Sequence, residues 1–268
     1  MKTRNHYLPA LLLALLPHAV WAQTTIDQAK ALAGGVTPGD APGFPVQINK
    51  PGSYKLTSNL DVPLHVQAIQ VAAPGVTIDL NGFVVSSIVE CRQDSHSTRV
   101  NCNLVNVAGA SLFNQGGIGT GYNETVVRNG TVRGFSGHGV YGVQHIENMR
   151  IAQNLGAGIF VNSGSALVPP RITHVRNSRI ELNNESGVVG GPVLFEHSIS
   201  SKNGAHGLWT VGGAVRNSVL SFNEMRGIWG YGSAGTTVLG SELVGNTAGP
   251  TAGNVLSLGA NSNGATAF

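Results

Sequence analysis

Charge is what this sequence has least of. Asp, Glu, Lys and Arg make up 11% of its 268 residues, against about a quarter in an ordinary globular chain. Setting residues 1–22 aside removes Lys2 and Arg4, so 16 basic residues become 14 against 13 acidic, a net charge of about +1. Nucleic acid is held by a basic patch, and this balance offers none. Scarce charge does not mean disorder, because 41% of the residues are apolar, enough for a sizeable core at this length. Aspartate stops early; Asp27, Asp40, Asp61, Asp79 and Asp94 are the whole set. A glycosyl-hydrolysing cleft needs two carboxyl groups in set roles, and a hard cation needs clustered carboxylates. The later chain shows neither: Glu181, Glu185 and Glu224 read as scattered outer residues, and Asp79 in "TIDLNG" as a turn residue. After residue 22 no apolar run approaches the roughly 20 residues that span a bilayer.

Cysteine is nearly as scarce, with two residues, Cys91 and Cys102. Their meaning depends on the first segment, which reads as an address. Lys2 and Arg4 form a basic start, "LPALLLALLPHAV" a short apolar run, and Val20 and Ala22 suit a signal peptidase. A signal peptide over 1–22 is therefore expected, with export to the periplasm or the extracellular space and no stable membrane insertion after its removal. In an oxidising compartment an even pair of cysteines is expected to bond, closing a peripheral loop near 86–104. With His96 the pair could instead begin a metal site, but a fourth ligand is missing. No metal and no cofactor is expected.

Glycine is abundant, with 37 residues, about twice the usual ~7%, and too irregularly spaced for collagen. Its pattern emerges from two stretches that say nearly the same thing, "VRNSRIELNNESGV" at 175–188 and "VRNSVLSFNEMRGI" at 215–228. The shared template is V-x-N-x-x-I-x-x-N-x-x-x-G-I. It also fits Ile146, Asn148, Ile151, Asn154, Gly158 and Ile159. Val127, Asn129, Val132, Gly139 and Val140 fit with Phe135 in the second asparagine slot. Leu194, Ile199, Asn203, Gly207 and Leu208 fit after one extra residue, with Glu196 in the first slot. Val238, Leu243 and Asn246 begin a sixth copy.

Self-similarity at a period near 20 residues means a solenoid. Leucine is too sparse for leucine-rich repeats, and the aliphatic positions lack helical spacing. Short β-branched runs punctuated by Gly and Asn read as strands and turns. Stacked, such strands form parallel sheets rising about 4.8 Å per coil. Asn154, Asn183, Asn203, Asn223 and Asn246 then align as a structural ladder of hydrogen-bonded amides.

The coil sentence "NSxIxxNxxxGI" resembles the right-handed parallel β-helix family, the pectin-lyase-like fold, and in particular its exported bacterial members. The resemblance covers residues 126–250 and extends over 46–110 through "GSYKLTSNLDV", "AIQVAAPGVTIDLNGFVV" and "NLVNVAG". It implies an all-β, right-handed solenoid of about eight coils over 46–268. Residues 23–45 are the expected cap and lead-in, with a short helix over 24–35 started by a Thr cap and ended by a glycine pair. "SLGANSNGATAF" reads as a fraying last coil or a flexible end.

The residue after each "G-I" pair points outward. It is Tyr141, Phe160, Val189, Trp209 and Trp229 in successive copies. Such a row is either a platform for sugar rings or a structural aromatic stack, for which the extra stretch "VNSGSALVPPR" offers a covering loop. The residue before the glycine is His138, Ala157, Ser186, His206 and Arg226, a second row on the same side. Tyr141, Phe160, Trp209, Trp229 and His138 are the candidate ligand-binding residues, and polysaccharide is the candidate partner. If there is chemistry, His206 would be the base and Arg226 the charge stabiliser, in a lyase or epimerase acting on an acidic glycan. Otherwise both are polar residues on a solvated face. His145 and His174 also stack by register, beside an expected Glu147–Arg176 contact. The preferred reading is a non-catalytic exported β-helix that recognises a polysaccharide or serves a structural role at the cell surface.

Overall fold

The computed structural model describes residues 23–103, 116–122, 124–161, 172–264 and 266–268. The expected signal segment 1–22, most of "NLVNVAG" and the insertion 162–171 lie outside the described residues. The chain is a parallel β-helix. Each regular coil carries three short strands, such as Thr173–Arg176, Arg179–Glu181 and Val188–Gly190. Equivalent strands of successive coils pair in parallel, forming a nine-stranded sheet and a bent fifteen-stranded sheet among the described residues. Nine stacked strands in one sheet correspond to about eight turns of solenoid.

Strand side chains alternate between faces, so each strand sends fixed positions inward. Val127, Ile146, Val175, Phe195, Val215 and Val238 form one buried column. Val132, Ile151, Ile180, Ser200 and Leu220 form a second. Val140, Ile159, Val188, Leu208 and Ile228 form the third. One register differs from the sequence reading. Phe195, not Leu194, lies between Val175 and Val215, so that copy needs no extra residue. A one-residue slip would turn Phe195 outward and Leu194 inward, and the larger ring wins the core. His197 then takes the first asparagine slot in place of Glu196, and Ser200 takes the core slot in place of Ile199. Buried Ser200 is satisfied: its hydroxyl donates to the Gly207 carbonyl at 2.8 Å and accepts from Asn203 Nδ2 at 3.3 Å.

The template's polar letters are the corners. Asn129, Asn148, Asn177, His197 and Asn217 hold φ between 47° and 61°, the left-handed region that asparagine tolerates best among non-glycine residues. The serine that follows builds a ladder that sequence reading missed. Ser198, Ser218 and Ser241 Oγ accept the backbone N–H of Ser178, Ser198 and Ser218 at 3.1–3.2 Å. Asn261 Oδ1 continues it by accepting from Ser241 N–H at 2.9 Å, so the final coil is pinned rather than frayed. At the next corner Asn154, Asn183, Asn203 and Asn223 each donate Nδ2–H to the following asparagine's Oδ1 at 2.9–3.0 Å. Each Oδ1 also accepts the preceding asparagine's backbone N–H, at 3.0–3.2 Å. The glycine column serves this ladder: a Cβ on Gly207 would sit 2.9 Å from Asn223 Nδ2 and 2.6 Å from the Gly227 carbonyl oxygen.

At the N-terminal end the helix is only Gln28–Ala33, capped by Asp27, whose carboxylate accepts from Lys30 N–H at 2.8 Å. The threonines belong instead to the strand Thr24–Ile26, paired with Tyr54–Leu56. β-Branched residues gain more there, by adding a strand and burying Ile26 over the core. Among the described residues no helix is long and apolar enough to cross a membrane.

Cys91 and Cys102 are bonded, joining the antiparallel strands Cys91–Gln93 and Val100–Cys102. The loop is not peripheral, as expected from sequence, but lies across the corners of several coils. Val89, Cys91, Val100 and Cys102 pack with Leu64 and Leu155. Gln93 Nε2 donates to the Phe222 carbonyl at 2.9 Å, Val100 N–H to Glu224 Oε2 at 3.4 Å, and the Thr98 and Thr247 hydroxyls meet. A two-stranded hairpin is marginal alone; here the solenoid corner supplies its second layer.

Candidate functional site

The nine-stranded sheet carries the outward row. Its register runs Gly119, Tyr141, Phe160, Val189, Trp209, Trp229 and Ala252. Trp209 and Trp229 remain 38% and 40% exposed, although each stacks on the other with centroids 5.8 Å apart and planes at 20°. Tyr231 leans on Trp209 at 5.6 Å. Along the corner beside them runs a groove of about 500 Å³. His138, Phe160, His206, Trp209 and Trp229 all line it, and Tyr141 sits one coil outside it, against Phe160 at 5.8 Å.

The second row is not a solvated face. His138 and His206 are 3% and 4% exposed, and Ala157 and Ser186 are buried between them. These side chains form an inner ladder of their own. His138 Nδ1 accepts the Ala157 N–H at 3.0 Å, Ser186 Oγ the His206 N–H at 3.1 Å, and His206 Nδ1 the Arg226 N–H at 3.3 Å. An imidazole nitrogen that accepts a backbone N–H carries no proton, so the neutral ring holds its proton on Nε2. Burial pushes the His138 imidazole down to about 4; burial, then the Arg226 charge, does the same for His206. His206 lines the groove with its accepting nitrogen already taken by the Arg226 N–H, which corrects its candidacy as a base. Arg226 is corrected likewise: its Nη1 donates to the Thr251 carbonyl at 2.9 Å, and it does not line the groove.

Three lining residues escaped sequence reading. Glu185, Ala205 and Met225 each stand two positions past a ladder asparagine, and that fixed offset was the available signal. Glu185 is no scattered outer residue. Burial pushes its carboxyl above the usual range. Among the described residues it is the one acidic side chain in the groove's lining, and no Lys or Arg joins it there. The disulfide hairpin buttresses this wall, since Asn184 and Glu224, which it contacts, immediately precede Glu185 and Met225.

The His145–His174 pair lies on the other sheet, with rings 5.1 Å apart and 26° between planes. Burial, then the His145 and Arg176 charges, lowers the His174 pKa. Arg176 is in register with Glu147, but its Nε donates to Glu196 Oε2 at 3.0 Å, and Arg216 reaches the other oxygen of Glu196 at 3.3 Å. The better-shielded carboxylate takes both guanidiniums. Among the described residues no three His, Cys, Asp or Glu side chains are grouped to hold a metal.

No family model and no curated protein matches the sequence. Among solved structures the chain is similar to the A-module of the Azotobacter vinelandii mannuronan C-5 epimerase AlgE4, at 12% identity and a TM-score of 0.38. The likeness covers 88% of this chain and 70% of that one. At that distance it says nothing of what the groove holds.

Proposed function

We propose that this protein is an exported, non-catalytic β-helix that recognises a polysaccharide along its aromatic groove. The observation that carries the reading is the Trp209–Trp229 pair, stacked yet more than a third exposed beside a groove that a buried polar ladder underlies. Flat rings offer apolar faces to sugar rings, and a groove with a few placed polar groups fixes their orientation. The disulfide accords with an oxidising compartment. The alternative, a lyase or epimerase acting on an acidic glycan, asks for a proton-accepting nitrogen and a guanidinium over the sugar. His206 spends its accepting nitrogen on Arg226 N–H, and Arg226 turns to Thr251, so binding is the better-supported reading.

The test is affinity electrophoresis of the folded protein in gels cast with neutral and uronate polysaccharides, beside ultraviolet assays for unsaturated products. Retardation by at least one polysaccharide, lost in Trp209→Ala, with no product formed, is the expected result. Unsaturated product from a uronate polymer, or no retardation by any polysaccharide, would overturn it.

A further inference from the structure

The aromatic row has a gap. Tyr141, Phe160, Trp209 and Trp229 keep the same register position, but the coil between Phe160 and Trp209 carries Val189. Phe160 and Trp209 therefore stand on strands two coils apart, about 9.6 Å at the usual spacing. Two ring contacts of about 3.5–4.0 Å each fit within that interval, so the missing side chain leaves space for one inserted ring. Stacking in this region runs along the solenoid axis: His138 lies on Phe160 at 4.8 Å and 27°, and Trp209 on Trp229 at 5.8 Å and 20°. Glu185, Ser186 and Ala205 line the same groove as Phe160, Val189 and Trp209.

We propose that this gap is a subsite for one uncharged hexopyranose residue, sandwiched between Phe160 and Trp209 with its hydroxyls read by Glu185 and His206. The inference rests on the glycan-platform reading and names its substrate class. The chemistry selects neutral sugars over uronates. A carboxylate ligand entering the slot meets the Glu185 carboxyl and, among the described lining residues, no lysine or arginine to balance it. A neutral sugar instead offers hydroxyl donors to Glu185 and an oxygen acceptor to the His206 Nε2–H. Sequence reading named an acidic glycan only for the catalytic alternative, through His206 and Arg226, and Arg226 does not line the groove.

The test fills the slot from within the protein. Val189→Phe continues the aromatic row and should leave the melting temperature unchanged or raised, since cross-strand aromatic pairs stabilise a sheet. Calorimetric titration would use three hexasaccharides: cellohexaose and mannohexaose as neutral probes, hexagalacturonate as the acidic one. The wild-type chain is expected to bind at least one neutral probe at least tenfold more tightly than hexagalacturonate, and Val189→Phe to lose at least tenfold of that affinity. Should Val189→Phe misfold, Val189→Met fills the same space with a flexible chain and is expected to lose affinity likewise. Undiminished neutral binding in the folded filled variant, with loss in Trp209→Ala, would overturn the subsite and leave the platform standing. Preference for hexagalacturonate would overturn the charge selection, again leaving the platform. No binding of any polysaccharide or probe by the wild-type protein would remove both.

Discussion

Single residues divide here into those that close the coil and those that face outward, and the two classes predict different costs. Asn203 makes ladder bonds on both sides, donating to Asn223 and accepting from Asn183 through Nδ2 and through backbone N–H. Asn203→Ala leaves buried donors of Asn183 unsatisfied, at roughly 1–3 kcal/mol for each uncompensated group. Trp209 loses stacking on Trp229 and Tyr231 when truncated, worth about 0.5–1.5 kcal/mol per aromatic pair beyond its area. Urea melts should therefore rank Asn203→Ala below Trp209→Ala in stability; the reverse order would make the aromatic row structural first. The ladder was legible because asparagine recurs at one offset in a repeat, and a repeat converts sequence spacing into spatial neighbours. The state of His206 was not legible. Whether an imidazole nitrogen is free depends on a backbone N–H from the next coil, which no residue letter records.

At the scale of the element, the coil template was readable wherever inward positions were aliphatic, and failed where two apolar residues were adjacent. "VLFEHSIS" offers Leu194 and Phe195 for one core slot, and Ser200 hides the other; alternation alone cannot choose between registers there. The disulfide hairpin was placed by composition as an interruption, but composition does not say what an interruption packs against. Its contacts along the corner set the expectation for Cys91→Ala combined with Cys102→Ala. Closing a loop of this length contributes about 3 kcal/mol through the unfolded chain. The additional effect is local: without the bond, the hairpin's hold on Phe222, Glu224 and Thr247 should loosen. Hydrogen exchange is expected to quicken at residues 222–225 while the Val215 and Val238 core column stays protected. Equal loss of protection in both would show the hairpin to be part of one cooperative unit with the coils.

For the molecule as a whole, scarcity of charge leaves pH sensitivity to a few buried groups, and their signs can be worked out. His138 and His206 are held neutral down to about 4 in the folded chain, whereas an unfolded histidine takes its proton near 6.5. Above pH 6.5 both states are neutral and these rings contribute no slope. Between 6.5 and 4 only the unfolded chain binds protons, so stability falls as pH falls, by up to about 1.4 kcal/mol per unit for each ring. His174, also lowered, adds in the same direction. Glu185 opposes them: its raised carboxyl binds a proton in the folded state first, which returns some stability as pH drops through that range. Asp79 and Glu181 join the loss only at lower pH. For each, burial alone would raise the carboxyl, but hydrogen bonds and arginine charges (Asn81, Asn129 and Arg128 for Asp79; Arg179 and Arg150 for Glu181) outweigh it and hold it low. Urea denaturation at pH 7.5, 6.5, 5.5 and 4.5 should show a plateau above 6.5 and a decline below it. His206→Gln keeps an acceptor for the Arg226 N–H and removes one titrating ring, so its decline should be visibly shallower than the parent's. A decline of unchanged steepness in that variant would leave the acid sensitivity to the remaining groups, His138 and His174 first, and would return His206 to a protonatable state inside the groove.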